Sequence, residues 1–146
     1  MIERSGGLRF SNRISVVREA VIASKTKGVT AMHDPTEGGV LNGLWELAEA
    51  SGRGIIVESD KIPVAPETRT ISDALKLDPL KLLGSGSLVI AVAAPRKDAV
   101  LERLNENRIR ATEIGRLTRN SKGRLVNHGS IQRRLTPVNR DELYRI

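Results

Sequence analysis

The short apolar run Val29-Thr30-Ala31-Met32 breaks into His33-Asp34-Pro35-Thr36-Glu37-Gly38-Gly39, after which Val40, Leu41, Leu44, Trp45, Leu47 and Ala48 recur at helical spacing up to Ser51-Gly52. A run that short, bounded by turn residues, suits a buried strand, and the three-to-four spacing after it suits a helix with one face on a core. The sequence therefore predicts strand, tight loop, helix. That unit also marks where chemistry would sit, because ligands of α/β folds gather beyond the carboxyl ends of strands, where a helix N-terminus offers free N–H groups.

The rest of the chain extends the same alternation. A helix is expected from an N-cap at about Asn12 through Ile14, Val17, Val21 and Ile22, closing at Lys25, Lys27 and Gly28. Gly54-Ile55-Ile56-Val57-Glu58 reads as a strand, and Ile62-Pro63-Val64-Ala65-Pro66 as an extended stretch opening a helix through Ile71, Ala74 and Leu75. Asp78 to Leu83 suggests a helical turn before the loop Gly84-Ser85-Gly86-Ser87. Leu88 to Ala93 is apolar throughout and is expected as a central strand. Pro95 starts a helix carrying Val100, Leu101 and Leu104, Ile109 to Leu117 reads as a further strand, and Lys122-Gly123 turns into β pieces near Leu125-Val126 and Ile131. The expected fold class is α/β (α+β): a layered α/β/α sandwich with a mixed sheet. Residues 1–12 read as a flexible lead-in and 13–146 as one domain.

Composition narrows the chemistry. No cysteine occurs among the 146 residues, which excludes disulfides, thiolate metal sites and a cysteine nucleophile, and points to a cytoplasmic setting. Only His33 and His128 are available as imidazole ligands, so no structural metal site is expected. No apolar stretch is long enough to span a membrane, and the N-terminus lacks a secretory apolar core. The net charge is +7, and all of that excess falls after residue 107, where ten basic side chains face Glu113, Asp141 and Glu142. A basic C-terminal face could hold an acidic partner or simply be solvated. One Phe, one Tyr and one Trp make too few aromatics for a stacking platform, which disfavours nucleic acid.

The loop from His33 to Gly39 admits two readings. In one, Gly38 and Gly39 let backbone approach a ligand, Thr36 hydrogen-bonds a phosphate, Asp34 orients a substrate amine or a magnesium ion, and His33 handles a proton. In the other, Asp34 and Thr36 cap the helix, Pro35 sets its entry angle and the glycines allow tight packing. Ser85, in the second glycine loop, is a further phosphate candidate or part of a plain turn. Neither the P-loop spacing, nor the dinucleotide fingerprint, nor a serine-hydrolase elbow is present.

The ordered series Ala31 to Leu41, Glu46-Leu47-Ala48-Glu49-Ala50-Ser51-Gly52, Ile62-Pro63-Val64, Leu77-Asp78-Pro79-Leu80, Gly86 to Val92 and Ile114-Gly115 resembles the C-terminal domain of the aminoimidazole ribonucleotide (AIR) synthase-related superfamily, most closely its hydrogenase-maturation carbamoyl dehydratase branch and uncharacterised archaeal-type AIR synthase-related proteins. The resemblance covers about residues 13–119. It implies a mixed sheet, partly ferredoxin-like, with the Asp-Gly loop facing a cleft, and ATP-dependent activation of an amide or carboxamide oxygen by phosphoryl transfer. It also implies an N-terminal domain, absent from this sequence, that supplies most ATP and Mg2+ ligands and the dimer contact. On that reading Asp34 and His33 are the catalytic candidates, Thr36, Gly38, Gly39 and Ser85 the substrate or phosphate side, and the chain alone is expected to be inactive. The resemblance also exposes two departures. The branch ends in a reactive cysteine that this sequence lacks, and its Asn-Glu-Gly-Lys loop is replaced by Gly84-Ser85-Gly86-Ser87, without a carboxylate. The alternative is a non-catalytic binding or assembly module working through the basic C-terminal residues.

Overall fold

The computed structural model describes residues 14–145, which form two compact units, 14–34 with 85–111 and 35–84 with 112–145. The expected lead-in of residues 1–12 and the Asn12 cap lie outside the described residues.

The first unit holds α1 (Val17–Ser24), β1 (Val29–His33), β3 (Val89–Val92) and α4 (Lys97–Glu106). β1 and β3 pair antiparallel, with Val29 opposite Val92 and His33 opposite Val89, and the register shifts between Val29 and Ala31. Thr30 Oγ1 there donates to the Ala91 carbonyl at 3.1 Å. Ala23, Val100 and Leu104 make the buried core, with Ile22, Val29, Ile90, Val92 and Ile109 packed around it. β3 is not the central strand that its apolar run predicts: it has one partner, β1, among the described residues. Two apolar faces require cover on both sides of a strand, and α1 and α4 help supply it without further strands at its edges.

The second unit holds α2 (Gly39–Ala50), β2 (Gly54–Glu58), α3 (Pro66–Leu75), β4 (Gly115–Thr118), β5 (Arg124–His128) and β6 (Ile131–Arg134). Its sheet is mixed, in the order β4-β2-β5-β6, with β2 antiparallel to β4, parallel to β5, and β5 antiparallel to β6. Leu41, Leu44 and Ala48 lie on the buried face of α2, while Ile55 and Val57 are buried on β2, against which α2 packs. The strand expected over Ile109 to Leu117 begins only at Gly115, since residues 109–114 have no ladder partner. Architecture is thus α+β with one mixed four-stranded sheet and one two-stranded sheet, as the alternation of patterns implies.

Candidate functional site

The strand, loop and helix predicted around His33–Gly39 form as β1, a turn and α2. His33, half-buried, ends β1 and Asp34 beside it is exposed, both in the first unit, as is the exposed Ser85. Thr36, Gly38 and Gly39 belong to the second unit, where they come together with Gly84 of the other glycine loop. The Thr36 carbonyl accepts from Gly39 N and from Gly84 N, each at 3.1 Å. Pro35 is fully buried, and a Cβ on Gly84 would meet its carbonyl oxygen at 2.8 Å. The two glycine loops are therefore laced into one turn through backbone groups.

The turn does not end as the capping reading expects. Neither Asp34 nor Thr36 caps α2; its N-cap position is Gly38, at φ 75° in the left-handed region. The amide of Gly38 instead donates to Asp141 Oδ2 at 2.8 Å, a carboxylate 103 residues downstream. Asp141 is 4% exposed, and its other oxygen accepts from Leu143 N at 2.8 Å. A buried carboxylate at a helix N-terminus satisfies an otherwise orphaned donor and complements the helix dipole. The end of the chain makes two further ties to the same turn. Val138 N donates to Asn42 Oδ1 at 3.0 Å, and Tyr144 OH donates to Glu37 Oε1 at 3.0 Å. That bond, with the charges of Glu37 and Asp141 and some burial, raises the Tyr144 pKa above its ordinary 10.0.

These contacts bound a cavity of about 410 Å³ over the N-terminus of α2. Glu37, Glu46 and Asp141 line it against a single arginine, Arg140, so its wall is predominantly anionic. Sequence reasoning missed Asp141, Asn42 and Tyr144. The one signal was Asp141-Glu142, an acidic pair inside an otherwise basic stretch, and both are buried. Among the described residues no group of three or more His, Cys, Asp or Glu is placed to hold a metal ion. The basic excess is dispersed: Arg108 and Arg110 lie in the first unit, while in the second Arg124 pairs with Glu49 and Arg145 with Glu142.

Residues 7–127 match the family described as AIR synthase related protein, C-terminal domain. A putative hydrogenase expression/formation protein of Methanocaldococcus jannaschii, MJ0676, is 40% identical over 100 residues, covering 67% of this chain and 30% of that protein. Carbamoyl dehydratase HypE of Escherichia coli K12 is 34% identical over 121 residues, covering 82% of this chain and 36% of the relative. A crystal structure of E. coli HypE superposes with a TM-score of 0.77 at 29% identity, over 89% of this chain and 41% of that one. A hydrogenase maturation protein HypE crystallised with ATP gives a TM-score of 0.69 at 25% identity, over 89% of this chain and 41% of that one. The chain thus spans about a third of the length of the curated relatives it matches. It belongs to the AIR synthase-related family, as the C-terminal domain, with hydrogenase-maturation proteins among its relatives.

Proposed function

We propose that this chain is the C-terminal domain of a HypE-like, ATP-dependent protein that activates an amide or carboxamide oxygen by phosphoryl transfer, in a cleft shared with an N-terminal AIR synthase-like domain. The observation that carries the reading is the strand–turn–helix at His33–Gly39, in a chain 34% identical to a carbamoyl dehydratase over 82% of its length. The proposed domain runs over residues 13–146, in a cytoplasmic protein that self-associates through the N-terminal domain.

The residues here do not by themselves fit a phosphate or magnesium cradle. The amides of Gly38 and Gly39 are already accepted by Asp141 and Thr36, and the cavity above them is lined by three carboxylates and one arginine. ATP and Mg2+ are accordingly assigned to the N-terminal domain, and the likeness to a HypE that binds ATP supports nucleotide use at the level of the family. What this chain contributes is the substrate side. In the first unit Asp34, exposed at the end of β1, would accept an N–H of the amide and orient its oxygen and His33 would move a proton, with Ser85 a substrate-side candidate of the same unit, while Thr36, Gly38 and Gly39 are the substrate-side candidates of the second. With no cysteine in these residues, transfer onto a thiol of this chain is not part of the reading.

The test grafts this chain onto E. coli HypE in place of the segment it matches and follows ATP-dependent phosphate release. Asp34→Asn is expected to lower kcat by about tenfold or more, as for a lost positioning group, with thermal stability unchanged. An Asp34→Asn graft as active as its parent would overturn the assignment.

A further inference from the structure

A second cavity, of about 630 Å³, opens in the same unit away from the glycine turn, with Trp45 of α2 on one wall and Lys122, Arg124 and Arg134 around it. The guanidinium of Arg124 lies over the indole, 5.5 Å from the ring centroid, and pairs with Glu49. Its Nε is buried and has no hydrogen-bond acceptor. Lys122 and Arg134 form no side-chain ion pair among the described residues, so the cavity carries three cations against one carboxylate. Two hydroxyls, of Ser121 and Thr136, complete a polar half, and Trp45, Leu135 and Pro137 supply an apolar one.

Lys122 and Arg134 are exposed and Arg124 lines the same cavity, so positive charge there is in excess by two. A phosphomonoester carries close to two negative charges at neutral pH and offers three strongly accepting oxygens, whereas a carboxylate would balance only half of that excess. The apolar half calls for a ligand with more than the phosphate, and the volume falls in the range of small-molecule sites. We infer that this cavity binds a phosphomonoester carried on a flat ring, of the nucleoside monophosphate class, with the phosphate among Lys122, Arg124 and Arg134 and the ring on the Trp45, Leu135 and Pro137 side. None of these residues belongs to the glycine turn, so the inference stands or falls apart from the proposed function.

Trp45 is the sole tryptophan of the chain, so its fluorescence reports on this cavity directly. The experiment titrates AMP, and separately inorganic phosphate, into the protein with excitation at the red edge of the indole band. Saturable change with AMP is expected, at least about tenfold tighter than with phosphate, and weakened about tenfold or more in Lys122→Ala/Arg134→Ala, both exposed positions whose loss leaves the fold intact. Circular dichroism of that variant confirms folding, and Asp34→Asn binds AMP as the parent does. Equal affinity for AMP and phosphate would reduce the site to a plain anion site and overturn the inference. So would binding that survives the double substitution, or the absence of any saturable change.

Discussion

At the scale of single residues, the glycine turn is held by sterics as much as by hydrogen bonds. A Cβ on Gly39 would sit 2.4 Å from the Leu82 carbonyl oxygen and 2.6 Å from that of Leu80, at a φ of 66°. Backbone oxygens cannot rotate away as a flexible side chain would. Gly39→Ala is therefore expected to cost about 2–4 kcal/mol, combining left-handed strain with the shift of the Leu80–Leu82 segment. Urea denaturation checks this, and a midpoint within error of the parent would show that the turn relaxes freely. The sequence alone identifies Gly39 as a place where backbone approaches something closely. That the something is the chain's own Pro79–Leu82 segment is a tertiary fact without a local signature.

At the scale of elements, the segment after β6 acts as a clasp on the start of α2. Tyr144 reports its state, being the one tyrosine of the chain. Its phenol donates to Glu37, which favours the protonated form and raises the pKa. A proton held more tightly in the folded than in the unfolded state stabilises the fold below the unfolded pKa, and that contribution is lost as pH rises through the folded value. The tyrosinate absorbance should thus appear with a midpoint above 10.0, and Glu37→Ala should bring it back toward 10.0. A midpoint that ignores the substitution would mean that the clasp is open in solution. The elements themselves were legible wherever period and punctuation agreed: β1, α2, β2 and α4 lie where the apolar spacing and the flanking Gly and Pro put them. Periodicity failed where it carries no information. The apolar run of β3 says that both faces are covered, not how many strands flank it, and the apolar residues from Ile109 onward do not say that pairing with β2 starts only where the Ile114 carbonyl accepts from Glu58 N. The carboxylate that ends α2 escaped for a different reason: a cap is sought within a few residues of the helix, and Asp141 is 103 away.

At the scale of the whole molecule, the two units are unequal in what holds them. The first has a two-stranded sheet and a core in which Ala23, Val100 and Leu104 are fully packed, with Val17 67% exposed on the outer side of α1. The second has four strands, with Leu41, Leu44, Ala48, Ile55 and Val57 buried between α2 and the sheet. Two strands alone are marginal in water, whereas more strands backed by a helix are not. Hydrogen exchange should therefore find the β1–β3 amides opening at least about tenfold more often than those linking β2 to β5. Equal protection would mean that the units open together as one cooperative body. The long reach of Asp141 adds a constraint in time. During synthesis the Gly38 amide is made 103 residues before the carboxylate that caps the start of α2. At about 5–20 residues per second, the Gly38 amide waits roughly 5–20 s on water before its partner emerges. A chain cut short before residue 141 would carry the helix with its first turn unfinished, so the geometry of the glycine turn registers whether translation has passed that carboxylate.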